Sequence, residues 1–231
     1  MTQSASRPIL AFDIYGTLID TDGVLDQLRG LVGDSAAAVS ATWRDKQLEY
    51  AFRRGLMKTY RPFPVCTADA LDYSLAAHGL ALDRHARERL LAVYRELPAF
   101  DDARAALDEL NAAGYRCFAF SNGTRDAVAG LLEHARIDAA FEGIVSCDEV
   151  SSFKPDPMVY AHLLQVADVA ADAAWLVSGN PFDVIGARAA GLHAAWINRA
   201  DAKVFDPWEF APDATIGALT ELPAVLAAVA A

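Results

Sequence analysis

Basic residues are scarce in this sequence. Lys and Arg number 20 against 31 Asp and Glu, a net charge of -11 over 231 residues. Nucleic-acid binding needs a basic face to neutralise phosphates, so no nucleic-acid partner is expected. No basic stripe is available for an anionic membrane. No apolar run reaches the roughly 18 residues of a membrane span, so no membrane partner is expected either. Met1 to Pro8 is polar and short and lacks the hydrophobic stretch of a signal peptide. Cysteine is rare as well. Cys66, Cys117 and Cys147 are scattered, odd in number and form no C-x-x-C pair. That argues against a disulfide framework and a thiolate zinc site. The histidines (His78, His85, His134, His162, His193) show no H-x-x-x-H or H-E-x-x-H spacing. G-x-S-x-G, G-x-x-x-x-G-K-[ST] and G-x-G-x-x-G are all missing. What is present is 54% hydrophobic residues and 22% charged ones. The expectation is a soluble, acidic, cytoplasmic globular protein with one sizeable core, or a core plus a smaller insertion.

Ile9-Leu10-Ala11-Phe12 ends at Asp13 and is bounded by Pro8 and Gly16, which predicts a buried strand. Further strand candidates are Tyr115 to Phe120, Gly143 to Ser146, Ala173 to Val177, His193 to Ile197 and Ala214 to Ile216. Helical spacing runs over Asp102 to Ala113, Arg125 to Ala135, Pro157 to Val166 and Pro181 to Ala190. Gly114 and Gly191 stand just past the ends of the first and last of these. This alternation predicts an α/β fold, a Rossmann-like parallel sheet with helices on both faces. Ligands of such folds sit beyond the carboxyl ends of the strands. Four candidate strands end there in polar residues: Asp13, Ser121-Asn122, Lys154 a little downstream, and Ser178 to Asp183.

Residues 19–98 read differently. Helices are expected over Val24 to Val32, Ala36 to Leu56, Ala68 to Ala77 and Arg84 to Leu97, interrupted at Pro62, Pro64 and Gly79-Leu80. Such a block after the first strand predicts an inserted helical cap (19–98) on a core domain of 1–18 and 99–231. An alanine-rich helix, Leu222 to Ala230, closes the chain.

Asp13 is the first candidate for chemistry. A carboxylate at a buried strand end, ringed by turn N–H groups and a nearby cation, stays ionised and is a competent nucleophile. The plainer reading is a turn cap. The surrounding Phe12-Asp13-Ile14-Tyr15-Gly16-Thr17-Leu18 resembles motif I of the haloacid dehalogenase superfamily. Phosphatases of that superfamily carry a second acid where this chain has Tyr15, and a Gly-Asp-x-x-x-Asp motif that binds Mg2+. The matching stretch here is Ser178-Gly179-Asn180-Pro181-Phe182-Asp183, so Gly179 replaces one acid. Those two changes argue against a metal and against phosphoryl transfer.

The same two changes match the L-2-haloacid dehalogenases. The resemblance covers nearly the whole chain. It rests on Asp13-x-Tyr15-Gly16-Thr17-Leu18, Arg44-x-Lys46-Gln47-Leu48-Glu49-Tyr50, Ser121-Asn122-Gly123, Lys154-Pro155-Asp156, Tyr160 and Ser178-x-Asn180-x-x-Asp183. It implies that Asp13 attacks the halogen-bearing carbon of a short L-2-haloacid and expels halide. Water then cleaves the aspartyl ester, giving a D-2-hydroxy acid. No metal and no cofactor are implied.

The resemblance also distributes roles. Arg44 cradles the halide, with help from the Asn180 amide. By helical spacing Arg44 shares a face with Leu48, Ala51 and Gly55. It could equally snorkel to the rim or pair with a structural carboxylate. Ser121, Asn122 and the backbone N–H groups of Ile14 and Tyr15 receive the substrate carboxylate; Ser-Asn-Gly is also ordinary turn chemistry. Lys154 anchors that anion and keeps Asp13 ionised. Thr17 fixes the Asp13 rotamer. Tyr160 contacts Lys154 or Ser178, or is a core tyrosine. Asp183 is the base or orienter for hydrolytic water, with Asn180 and Ser178 placing that water. It could also be a helix N-terminal carboxylate favoured by the dipole, and Asn180 an Asx turn. Tyr15, Leu48, Phe63 and Phe182 form an apolar wall or plain core. Relatives of this kind are commonly dimers, so a homodimer is the expected assembly. Two other readings stay open: a superfamily phosphatase acting on a small phosphate ester, and a non-catalytic anion-binding protein.

Overall fold

The computed structural model describes residues 7–199 and 203–229. The polar stretch before Arg7 and the last residue of the expected closing helix, Ala230, lie outside them. Strands β1 (Ile9–Phe12), β2 (Cys117–Ser121), β3 (Gly143–Ser146), β4 (Ala174–Ser178), β5 (His193–Ile197) and β6 (Ala214–Ile216) form one sheet in the order β3-β2-β1-β4-β5-β6. Every pairing is parallel. Parallel strands are covered on both faces, which is why they read as continuous apolar runs. Alternate residues serve different layers. Leu10 and Phe12 pack into one core with Trp175 and Leu107, and Ile9 and Ala11 into another with Tyr160 and Val184.

The chain moves to one side of β1 for β2 and β3, and to the other side for β4 to β6. The crevice at such a reversal is where open α/β sheets bind ligands. Asp13 follows β1, and Asn180 and Asp183 follow β4, so both flank this reversal.

Helices α1 (Gly23–Val32), α2 (Ala36–Met57), α3 (Phe63–Ala77) and α4 (Arg84–Val93) lie between β1 and the rest of the sheet's sequence. The chain leaves and returns as neighbours: Asp20 N–H donates to Pro98 O at 2.9 Å and Phe100 N–H to Leu18 O at 2.9 Å. α3 starts at Phe63, not Ala68. Pro62 is its N-cap and Pro64 lies in its first turn, where a missing N–H breaks no helix bond. α4 stops at Val93, short of the expected Leu97. The remaining helices are α5 (Ala103–Ala112), α6 (Arg125–His134), α7 (Pro157–Ala167), α8 (Pro181–Ala189) and α9 (Leu222–Val229). Among the described residues no helix is long and apolar enough to cross a membrane.

Candidate active site

β1 ends by handing its ladder to Asp13, whose N–H donates to Val177 O on β4 at 3.0 Å. The backbone then reverses at Gly16, where φ is +80°, a conformation glycine adopts at no steric cost. The reversal brings Thr17 back under Asp13. Thr17 Oγ1 donates to Asp13 Oδ2 at 2.7 Å and accepts the Gly179 N–H at 2.9 Å. Gly179 is packed so close that a Cβ there would strike the Gly16 carbonyl. That is why the loop after β4 carries no side chain at this position.

Three donors hold the Asp13 carboxylate. Lys154 Nζ reaches Oδ1 at 3.1 Å, while Thr17 Oγ1 and Asn180 Nδ2 (2.8 Å) reach Oδ2. Asp13 is 8% exposed and Lys154 1%. Lys154 Nζ also donates to Asp183 Oδ2 at 2.8 Å and Phe120 O at 2.8 Å, so all three of its hydrogens have acceptors. Burial opposes the lysine charge, but the Asp13 and Asp183 carboxylates outweigh it and raise its pKa above the usual lysine value. Its backbone is pinned too, since Lys154 N–H donates to Asn122 Oδ1 at 2.9 Å.

Asp183 stands in the first turn of α8 and is wholly buried. Its Oδ1 accepts the Tyr160 hydroxyl at 2.8 Å. Burial pushes its pKa above the usual aspartate value; Lys154 pulls the other way, and Asp13 adds to the rise. Tyr160 therefore contacts Asp183, not Lys154 or Ser178 as expected; α7 brings its hydroxyl over the start of α8. Gly186 makes this approach possible, because a Cβ there would meet the Tyr160 hydroxyl and Pro155. Gly186→Ala is expected to destabilise the fold by about 1–3 kcal/mol, the usual cost of overpacking. The check is a lower urea midpoint at unchanged slope.

Arg44 approaches from α2. The buried stripe of that helix is Val39, Trp43, Gln47, Ala51 and Gly55. Arg44 stands beside this stripe, and Leu48, one turn on, is only half-buried. Arg44 Nη1 donates to Gln47 Oε1 at 2.9 Å and Nη2 to Asn180 Oδ1 at 3.3 Å. Both partners are neutral. Among the described residues, no carboxylate lies within salt-bridge distance of this guanidinium. Pairing with a structural carboxylate is thus not its state. Asn180 joins the same cluster. Its amide hydrogens go to Asp13 Oδ2 and Tyr15 O (3.2 Å), and its carbonyl faces Arg44. Asn180 thus links the carboxylate to the guanidinium.

Other residues fall around this cluster. The backbone N–H groups of Ile14 and Tyr15 donate to no protein acceptor among the described residues, and neither does Asn122 Nδ2. Ser121 Oγ and Ser178 Oγ each accept a loop N–H, from Gly123 at 3.0 Å and Asn180 at 3.1 Å. Ser178 orders its loop and makes no hydrogen bond to Asp183. Phe63 packs on Tyr15 (6.4 Å between ring centres) and Phe182 on Phe52 (5.1 Å). The Tyr15 phenol is pushed up to about 12 by burial and by Tyr94 and Asp13, against Arg44. It stays neutral. Sequence reasoning gave no role to Gln47 and did not single out Thr67 or Tyr94. Gln47 Nε2 donates to Thr67 Oγ1 at 2.7 Å, which braces the residue that holds Arg44. A polar Gln in phase with Trp43 and Ala51 was the available signal.

A doubly wound parallel sheet with a lysine-held carboxylate at its reversal point defines the class: an α/β protein with a candidate nucleophile where such sheets bind ligands. The comparisons narrow the class. A family model for haloacid dehalogenase-like hydrolases matches residues 8–191. (S)-2-haloacid dehalogenase 1 of Pseudomonas sp. strain CBS-3 is 36% identical, over 93% of this chain and 94% of its own. Haloacetate dehalogenase H-2 of Moraxella sp. strain B is 35% identical, over 90% and 92%. The structure of the L-2-haloacid dehalogenase from Xanthobacter autotrophicus with chloropropionic acid covalently bound superposes with a TM-score of 0.90 at 30% identity, covering 96% of this chain and 98% of that one. The chain belongs to the haloacid dehalogenase-like hydrolases, in the L-2-haloacid dehalogenase branch.

The superfamily's Mg2+ does not suit these residues. A divalent cation wants several oxygen ligands. Here Lys154 Nζ sits between the two carboxylates, and the position of the missing acid, Gly179, has no room for a side chain.

Proposed function

We propose that this enzyme hydrolyses short L-2-haloacids to D-2-hydroxy acids through an ester on Asp13. The observation that carries the reading is Arg44, a half-buried guanidinium with no carboxylate partner among the described residues, linked through Asn180 to the Asp13 carboxylate that three donors hold. An anion complements a guanidinium whose hydrogen-bond partners are neutral, and halide is the anion the reaction releases.

The geometry suggests an order of events. Oδ1 has one donor and Oδ2 has two, so Oδ1 keeps the freer lone pair. Oδ1 attacks the α-carbon, the carbon–halogen bond breaks, and its electron pair leaves on the halide beside Arg44. The free N–H groups of Ile14 and Tyr15 and the Asn122 amide bind the substrate carboxylate. Oδ2 is then the ester carbonyl oxygen. Thr17 and Asn180 already donate to it and stabilise the oxyanion as water adds. Asp183 takes the water proton, Lys154 supplies a proton to the departing hydroxy-acid oxygen, and the proton on Asp183 then passes to Lys154 along their 2.8 Å contact, restoring both groups. Tyr160 holds Asp183. Leu48, Phe63 and Phe182 shield the site from bulk water.

Asp183 must be ionised to act as base. Its pKa is raised above the ordinary 3.8, so activity is present above the raised value and lost as pH falls through it. The acid limb of kcat is expected on the high side of an ordinary aspartate, read from a profile over about pH 4–8. A limb at or below the ordinary value would remove Asp183 from the role.

Residues 19–98 act as a cap over a core of 1–18 and 99–231 in this reading, with Arg44 carried by the cap. The assembly is a homodimer, supported by Leu56, Met57 and Tyr73 exposed on α2 and α3. A cytoplasmic setting is supported by free, buried Cys66, Cys117 and Cys147. The direct test is halide release from L- and D-2-chloropropionate, chloroacetate and fluoroacetate, with and without EDTA. Chloride is expected from the L isomer alone of the pair, unaffected by EDTA. Phosphate-ester hydrolysis that needs Mg2+, without halide release, would replace this reading.

A further inference from the structure

The Thr17 hydroxyl holds Asp13 Oδ2, so the backbone of that turn must itself be held. One side chain does this from outside. Arg199, just past the end of β5, donates from Nη2 to Thr17 O at 3.0 Å and from Nη1 to Asp102 Oδ2 at 2.8 Å. Asp102 is the N-cap residue of α5, but its side chain caps no N–H of that helix. Its Oδ2 accepts the Leu219 N–H at 2.7 Å as well as Arg199. The guanidinium also lies over the Phe100 ring, 3.9 Å from its centre. Stability alone would favour a different pairing, since guanidinium and carboxylate bind best through two parallel contacts. Here they share one. The buried Asp102 Oδ1 and Arg199 Nε have no hydrogen-bond partner among the described residues. The fork is turned so that its second arm reaches Thr17.

We propose that Arg199 is a positioning residue: anchored on Asp102, it fixes the Thr17 carbonyl and thereby the hydroxyl that meets the charge on Oδ2 when water adds to the ester. The inference rests on the dehalogenase reading above and assigns Arg199 to the second step of that reaction. Attack on carbon by Oδ1 draws charge away from the carboxylate, so it asks little of a donor at Oδ2. Addition of water to the ester builds an oxyanion there, and a donor already aimed at that oxygen lowers the barrier.

The experiment follows L-2-chloropropionate through both steps in the wild type, Arg199→Met and Arg199→Lys, and repeats each in a Thr17→Val background. Quenched-flow halide release reads the first step, and intact mass reads decay of the ester. Arg199→Lys keeps a cation beside Asp102 but loses the planar fork that spans both acceptors, so its denaturation midpoint should stay near that of the wild type. Both Arg199 variants are expected to slow ester decay about tenfold, less than the roughly 10²–10³-fold of deleting an oxyanion donor outright. Halide release in the first turnover and kcat/KM should be kept. Thr17→Val has no hydroxyl to position, so the same Arg199 substitutions there should change ester decay by less than about twofold, the non-additivity of groups that act through one another. Three results would each overturn the positioning role and leave the dehalogenase reading standing. They are ester decay at the wild-type rate in Arg199→Lys, an undiminished loss in the Thr17→Val background, and a fall in first-turnover halide release equal to that in ester decay. If Arg199→Met does not fold, Arg199→Lys decides by the same outcomes. No halide release from the wild type would overturn both readings.

Discussion

Replacing Asp13 with Asn is expected to lower kcat for halide release on the order of 10⁶-fold, the usual loss of a nucleophile. An amide of the same shape has no anionic oxygen to attack carbon. The fold should survive, because Lys154 keeps Asp183 and Phe120 O as partners, each at 2.8 Å. A chloride electrode with L-2-chloropropionate reads the rate, and a denaturation midpoint reads the fold. A second readout follows from the ester. If water attacks the Asp13 carbonyl, repeated turnover in heavy-oxygen water must put label into the Asp13 side chain. Halide release at the wild-type rate from Asp13→Asn, or a side chain that never acquires label, would end the covalent route.

Asp183→Asn should separate the two steps. Halide departure needs no base, so one equivalent should leave. The ester should then persist, since Asn cannot take a proton from water. A loss of about 10²–10⁴ in the steady-state rate matches the removal of a positioned base. Intact-mass measurement should show one substrate carboxyalkyl group on the chain, located at Asp13. The variant also removes one partner of a buried ion pair, with a cost of about 3–5 kcal/mol. Its midpoint must therefore be measured beside its rate. Normal turnover without a burst would assign the base elsewhere.

Legibility in the sequence followed the range of the forces involved. Strand β3, β5 and β6 limits match the apolar runs residue for residue, because a short β-favouring run bounded by polar and turn residues leaves a local trace even in the partly buried edge strands β3 and β6. The start of α3 did not, because prolines in the first turn and prolines that break a helix look alike until the capping geometry is known. Arg44 shows the same limit at the site. Its helical phase was readable to within one position. Whether a carboxylate waited opposite it was not, since that depends on which loops face α2.

Local chemistry in the chain determined the alternation of strand and helix, and with it the strand ends where Asp13, Lys154 and Asp183 gather. Apolar runs and turn residues act over a few positions, so they are written in order. Tertiary packing alone decided which atom of each polar group meets which. The Asn180 amide turns to Asp13 across 167 residues of sequence, Lys154 spans both carboxylates, and Tyr160 reaches Asp183 through the space that Gly186 leaves. Those contacts depend on how helices and loops pack in three dimensions, and no spacing along the chain encodes them directly.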